Sequence, residues 1–282
     1  MRFRILLTGL LLLSRVYWIL LIVRNKRRYF SIAICLSCCL NTAGQTVYPQ
    51  NAKLDRTLLE LPAISKTDNI VVHQGYISSY NTETLIPDWV AYELTEEEAN
   101  GTFGRSGSFS MDPDFTGRQA MREDYSNSGW DKGHLAPAAD MKWSPASMYE
   151  SFYFTNISPQ NHTLNERSWQ TLERFVRKMA GQYKTVWVVT GPVVDLGTHG
   201  TIGAQKVAVP DSFFKALLIY DGESYHSIAF LMENNSTYHS LKSSTLTVNE
   251  LELFIGKDLF CNLPKRIQES IEGKIDDGVW PL

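Results

Sequence analysis

Cysteine is nearly missing from the body of this chain. Of the four Cys in 282 residues, Cys35, Cys38 and Cys39 crowd into the first 44 positions, and only Cys261 lies beyond them. A lone thiol excludes both an intramolecular disulfide framework and a Cys-rich zinc site in the body. Acidic residues are missing from the opposite part: residues 1–44 contain no Asp or Glu but seven Lys/Arg. Setting those seven aside from 27 Lys+Arg leaves 20 against 30 Asp+Glu, so the remainder carries a formal charge of −10 although the whole chain reads −3. Such a body cannot coat nucleic acid by bulk charge. If the substrate is a polyanion, a local basic cluster or a bound cation must overcome the background field. Internal repeats are absent too, as are low-complexity linkers after residue 68, and one folded domain is expected.

The N-terminal segment holds two apolar runs. Ile5 to Val23 is long enough for a marginal membrane span, with Arg15 inside it. The basic stretch Arg24 to Arg28 then precedes a shorter apolar run, Tyr29 to Leu40, and the small or polar residues Asn41 to Gln45. A basic region, an apolar core and a small-residue exit follow the order of a secretory signal. The expectation is therefore an export signal and potential membrane segment over residues 1–44, a polar tether over 45–68, and a folded domain over 69–282. Location would be secreted or periplasmic, with membrane association through the first run.

From Asn69 the texture changes to short β-type runs at residues 70–72, 76–77 and 89–94, separated by turn residues. Thr95 followed by Glu96, Glu97 and Glu98 can cap a helical turn. Residues 101–125 are rich in Gly, Ser and Asp and read as a long loop carrying Arg105. A short helix is expected at 144–149 and a strand at 152–157. Trp169, Leu172, Val176 and Met179 have helical spacing within 165–179. Further strands are expected at 186–189 (ending at Gly191-Pro192), 213–220 and 227–232, and a helix at 248–255. Strands and helices mix without regular βαβ alternation, which makes the fold class α+β.

The densest chemical vocabulary lies between Gly129 and Glu173. It opens with Asp131-Lys132-Gly133-His134, and 31 residues after His134 comes Asn165, on the helix that also carries Trp169 and Glu173. Phosphodiester hydrolysis needs a base for the attacking water, charge to stabilise the pentacovalent phosphate, and help for the departing oxygen. A neutral imidazole is a natural base near pH 7. An Asn carbonyl is a hard oxygen ligand suited to Mg²⁺, which keeps most of its waters and needs few protein ligands. Each residue also has a bland reading. His134 could be structural, Asn165 a helix N-cap, Glu173 a solvated helix residue and Arg105 a loop charge. Taken residue by residue, the chemistry reaches a hydrolase and goes no further.

The wider pattern carries a resemblance. Asn156-Ile157-Ser158-Pro159-Gln160, followed by Asn165-Glu166-Arg167-Ser168-Trp169-Gln170-Thr171-Leu172-Glu173, resembles the DNA/RNA non-specific endonuclease family. This ββα-metal, or His-Me finger, family includes endonuclease G and secreted bacterial sugar-non-specific nucleases. Its signature is Asp-Arg-Gly-His, then Asn-x-x-Pro-Gln and Asn-x-x-x-Trp-x-x-Leu-Glu. The similarity runs from about Tyr76 to Phe260, through Trp89-Val90-Ala91-Tyr92, Gly191-Pro192, Val209-Pro210 and Phe213-Phe214-Lys215.

The resemblance implies a ββα-metal core on a mixed, mainly antiparallel sheet in a single domain. It implies His134 as general base and Asn165 as the direct protein ligand of Mg²⁺, with Mn²⁺ as a substitute. Glu173 would hold a water of the ion's shell, Arg105 would act as the transition-state arginine, and Asp131 would support the site. DNA and RNA would be the substrates. One departure stands out: the family's Arg between Asp and Gly is Lys132 here, which keeps the charge but loses bidentate contact to phosphate. Two other classes share the scaffold: a non-catalytic nucleic-acid-binding or surface protein, and a phosphodiesterase for another extracellular phosphoester. Binding alone requires neither His134, Asn165 nor Glu173.

Overall fold

The apolar alternation closes into one twisted sheet covered on both faces. In the computed structural model, residues 54–282 except 56 and 196 are described, and all of them fall in one compact unit. The segment expected at 1–44, and the first part of the expected tether (45–53), lie outside the described residues.

The strands are β1 (Ile70–Val72), β2 (Ile77–Asn81), β3 (Ile86–Thr95), β4 (Asp131–His134), β5 (Ile157–Gln160) and β6 (Thr185–Val193). They continue with β7 (Thr201–Ile202), β8 (Val207–Ala208), β9 (Ser212–Tyr220), β10 (Tyr225–Glu233) and β11 (Thr245–Leu246). The helices are α1 (Glu96–Ala99), α2 (Pro145–Glu150), α3 (Gln170–Tyr183), α4 (Val248–Ile255) and α5 (Lys265–Ile271). Seven strands form the main sheet in the order β1-β2-β3-β6-β9-β10-β11, and every neighbouring pair is antiparallel. The pairs β4-β5 and β7-β8 stand apart as two-stranded ribbons.

Period-two alternation sorts the core. Phe213, Leu217 and Ile219 of β9 join Val90 and Tyr92 of β3 on the face covered by Leu172, Phe175, Val176 and Met179 of α3. Phe214, Ala216 and Leu218 point the other way, with Trp89 and Ala91, toward Val248 and Leu251 of α4 and Ile271 of α5. Leu135 and Ala136, which follow β4, pack on the α3 side. Thr95 caps α1 with a reciprocal Thr95–Glu98 box, as its sequence suggests.

Three boundaries differ from the sequence reading. β6 runs through Gly191-Pro192 to Val193, because its pairing with β3 ends at Thr190 and Pro192 needs no donor on that side. Residues 152–157 form a 3₁₀ turn (Phe154–Asn156) leading into β5, not a strand. Buried Leu61 and the Ala63–Asp258 backbone bond (2.8 Å) dock the second half of the expected tether onto the α4–α5 side. Among the described residues no helix is long and apolar enough to cross a membrane.

Candidate active site

β4 and β5 form a short ribbon in which Asp131 faces Gln160, Lys132 faces Pro159, Gly133 faces Ser158 and His134 faces Ile157. Gly133 is dictated by space. A Cβ there would sit 2.3 Å from Gln160 Oε1 and 2.6 Å from its Cβ. Just beyond the ribbon, the buried Asn156 side chain accepts from the Ala136 N–H and donates to the Ala136 and Ser151 carbonyls, each at 2.8 Å. That three-way bond fixes the chain immediately after His134.

Alternation along β4 splits the motif. Lys132 and His134 share one side: the Lys132 ammonium lies 5.5 Å from the Phe109 and Tyr125 ring centres, and the His134 ring lies 5.4 Å from Phe109 and edge-on to Phe152 at 5.0 Å. Asp131 turns instead to the helix that follows β5. Its Oδ2 accepts from Asn165 Nδ2 at 2.9 Å and lies 2.9 Å from His162 Nδ1.

His134 Nε2 is buried and meets no hydrogen-bond partner among the described residues. Burial first, and the Arg105 charge second, push the imidazole down to about 3, so it is neutral across the physiological range. Arg105 itself is exposed, with its guanidinium 5.1 Å from the Phe152 ring centre. Its charge is felt at Glu173 as well as at His134. The long loop therefore brings Arg105 into the electrostatic range of both.

Asn165 is not an N-cap. Helical structure starts at His162, and Asn165 lies inside a π-helical stretch, Leu164–Trp169, that runs directly into α3. In an ideal α-helix eight residues leave Asn165 and Glu173 roughly 80° apart around the axis. The wider i→i+5 turns advance less per residue and reduce that offset. The alignment expected from plain helical spacing is thus supplied by the π stretch.

Behind Glu173 lies a group of charges that sequence reading missed. Asp140, fully buried, accepts from Arg177 at 2.6 Å and from the Tyr92 hydroxyl at 3.0 Å. Lys215, also fully buried, donates to the Leu135 carbonyl at 3.2 Å and lies 4.9 Å from the Trp169 ring centre. Burial and then the Asp140 carboxylate raise the Glu173 pKa, while Lys215, Arg177 and Arg105 oppose the rise. Lys215 occupies an inward position of an otherwise apolar strand, and a charged residue inside an apolar alternation is the signal that could have found it.

Two sets of groups could hold a cation. Asn165 gives its amide nitrogen to Asp131, which leaves its carbonyl oxygen free for a hard ion. His73, Asp112 and Asp114 offer ligand atoms within 4.8 Å of one another. In that second set the donors are already engaged: His73 Nε2 lies 2.8 Å from Asp112 Oδ2, which also accepts from Thr155, while Asp112 Oδ1 accepts from the Asp114 N–H at 2.9 Å. Donor chemistry and availability favour Asn165.

The model of the DNA/RNA non-specific endonuclease family matches residues 60–266. The chain belongs to that family. Mitochondrial nuclease EXOG of Xenopus laevis is 32% identical over 220 residues, 72% of this chain and 59% of that protein. Mitochondrial endonuclease G of Homo sapiens is 34% identical over 157 residues, covering 52% and 53% of the two chains. A nuclease of Nostoc sp. is 29% identical over 223 residues, 74% of this chain and 79% of the relative. The chain spans about three-fifths of the length of the frog and zebrafish EXOG proteins it matches (59% and 61%). The crystal structure of the EndoG/EndoGI complex contains a chain that superimposes with a TM-score of 0.69 at 27% identity, covering 76% of this chain and 94% of that one. The α+β fold with its mainly antiparallel sheet is therefore the family's fold. The family's relatives also correct one expectation. The secreted or periplasmic location read from residues 1–44 is overturned, because the EXOG and endonuclease G relatives are mitochondrial nucleases. The order of basic, apolar and small residues that suggested export is too generic to specify a destination.

Proposed function

We propose that the chain is a metal-dependent nuclease that hydrolyses DNA and RNA with little sequence preference, with His134 as general base and Asn165 holding Mg²⁺ or Mn²⁺. The observation that carries this reading is the hairpin-and-helix unit itself, in which His134 Nε2 has no partner among the described residues while Asp131 turns the Asn165 carbonyl oxygen free. When bound, an ion held by Asn165 would supply positive charge that stabilises the charge developing on the phosphate and its leaving group.

The chain's own residues do the rest. His134 Nε2 accepts the proton of the attacking water. Alone, an imidazole pushed this low is a weak base, but the second of its two causes, the Arg105 charge, is removable. A phosphate seated against Arg105 neutralises the charge that depresses His134 and strengthens it as substrate binds. Arg105 stabilises the charge that develops on the phosphate. Glu173, as a carboxylate, would accept a hydrogen bond from a water beside the Asn165-held ion and orient it. Asp131 orients Asn165, and Lys132 contacts a neighbouring phosphate as a point charge.

Incubation of the purified protein with supercoiled plasmid and with RNA, with and without EDTA, tests the reading. Cleavage of both that stops with EDTA and returns with Mg²⁺ or Mn²⁺ is expected. Tight binding without cleavage under all metal conditions would favour a binding protein on the same scaffold, and cleavage of neither polymer would refute the assignment.

A further inference from the structure

Asn234 directly follows β10 and is buried, and its side chain reaches the segment that joins β5 to the helix of Asn165. Its Oδ1 accepts from the Asn161 N–H at 2.7 Å. Its Nδ2 donates to the Pro159 carbonyl at 3.2 Å and to the Pro210 carbonyl at 2.8 Å. Its own N–H donates to the Asp211 carbonyl at 2.7 Å, which fixes the residue to the chain that enters β9. Among the described strands β5 pairs only with β4. On its other edge the peptide groups flanking Gln160 need a different partner, because a buried peptide group without one is costly. One amide serves both. Nδ2 bonds the carbonyl before Gln160 and Oδ1 the N–H after it, as a neighbouring strand would.

From there the bonding passes to Asn165. Asn161 precedes the helical start at His162 and caps it: its Oδ1 accepts from the Thr163 N–H, and its carbonyl accepts from the Asn165 N–H, each at 2.9 Å. A single residue, Asn161, therefore stands between the Asn234 side chain and the Asn165 backbone. The same segment makes a second tie, because the His239 N–H donates to the buried Ser168 hydroxyl at 2.9 Å. Residues 234–239 thus hold the helix at Asn161 and at Ser168, and Asn165 lies between the two points. Most of the π stretch Leu164–Trp169 falls inside this bracket. Such turns are rare and concentrate at functional sites, and this one is held from outside at both ends.

We propose that Asn234 is a positioning residue of the active site: through Asn161 it sets the place of Asn165 relative to the β4–β5 ribbon that carries His134. The proposal rests on the nuclease reading above for the role of Asn165, and on the hydrogen bonds alone for the placement. Asp131 orients the Asn165 side chain, whereas Asn234 fixes the backbone from which that side chain projects. A displaced ligand holds an ion less tightly, so the loss of Asn234 falls on metal affinity and not on substrate binding.

The test compares Asn234→Ala and Ser168→Ala with Val248→Ala, a core substitution on the α4 side of the sheet that controls for lost stability. The readouts are the Mg²⁺ concentration for half-maximal cleavage, KM for a DNA duplex, the gain in Tm on adding Mg²⁺, and amide hydrogen exchange by NMR. Asn234→Ala should raise the half-maximal Mg²⁺ concentration by about 10–100-fold and leave KM nearly unchanged. It should also shrink the Mg²⁺-dependent gain in Tm and speed exchange at the Asn165 amide, while the amides of Leu172 to Ala180 stay protected. Ser168→Ala should move the same readouts by less, and Val248→Ala should lower Tm without moving the half-maximal Mg²⁺ concentration. In a folded Asn234→Ala, an unchanged half-maximal Mg²⁺ concentration or unchanged Asn165 exchange would overturn the proposal, as would an equal Mg²⁺ shift in Val248→Ala. If Asn234→Ala does not fold, Ser168→Ala decides by the same criteria. Wild-type cleavage that ignores EDTA would refute the metal reading instead, and the exchange rates alone would then decide whether Asn234 holds the helix.

Discussion

The Asp131 carboxylate takes a hydrogen bond from the Asn165 amide nitrogen at 2.9 Å, and this contact decides which end of the Asn165 side chain is free. A carboxylate only accepts, so it must hold the NH₂ group and leave the carbonyl oxygen outward. The pair joins a strand residue to a helix residue 34 positions away, and so ties the hairpin that carries His134 to the helix that carries the proposed metal ligand.

Removing Asp131 should therefore act on metal affinity more than on the chemical step. Asp131→Ala is expected to raise the Mg²⁺ concentration needed for half-maximal cleavage by about 10–100-fold, the usual effect of losing a ligand's supporting partner. Asn165→Ala should abolish activity at low Mg²⁺ and recover only part of it at high Mg²⁺ or Mn²⁺. A metal titration of the three proteins checks both, and an Asn165→Ala curve that overlays the wild type would place the ion elsewhere, with the His73–Asp112–Asp114 group the next to test.

His134→Ala should reduce cleavage by about a thousandfold or more while the fold persists, combining the usual worth of a general base with lost alignment. The other His residues do not replace it. His73 is buried against Asp112, and His162 faces Asp131 and Glu166. Steady-state rates with circular dichroism on the purified variant decide this, and near-normal cleavage would end the assignment.

Acid should destabilise the protein partly through the same residue. His134 is depressed to about 3 in the fold, below its ordinary 6.5, so below 6.5 the unfolded chain takes up a proton that the folded chain refuses. Stability carried by the neutral ring is complete above pH 6.5 and is lost as pH falls toward 3. Between pH 7 and 5 the wild type should lose more Tm than His134→Gln. Parallel melting curves for the two proteins would show that the ring is not held neutral.

The acid limb of kcat/KM should belong to Glu173 instead of His134, since burial and Asp140 raise Glu173 toward neutrality while His134 stays neutral far below it. The rate is expected to fall as pH drops through the raised Glu173 pKa, where its carboxylate is lost. In Glu173→Gln a slower rate should stay flat over the same range. A limb near pH 6–7 that survives this substitution would point to another group.

Salt dependence reads the phosphate contacts. The body is acidic, and Lys132 is held between the Phe109 and Tyr125 rings without a carboxylate partner among the described ion pairs. Each phosphate contact contributes about 0.9 to the salt slope on duplex DNA, and a shallow slope equivalent to about two to four contacts is expected. Lys132→Arg should raise affinity or rate modestly, because a planar fork binds two oxygens. A steep slope would mean that Lys and Arg gather on one face despite the net charge.

By itself the sequence determined the elements and the chemical vocabulary. Short apolar runs marked β9 and β10, helical spacing marked α3 and α4, and the spaced motifs around His134, Asn156 and Asn165 named the family, because each is a local pattern that a linear reading can detect. That Gly133 makes room for Gln160 was not legible in the sequence. Tertiary structure decided what depends on contacts between distant residues. It showed which atom of Asn165 is free, that a π stretch and not plain α-helical spacing brings Asn165 toward the line of Glu173, and that Arg105 acts on both His134 and Glu173. It also brought the fully buried Lys215 and Asp140 together with the partly exposed Arg177, from positions 215, 140 and 177. No local pattern can specify such a group, because the energy of each charge is set by partners that only the folded chain brings within reach.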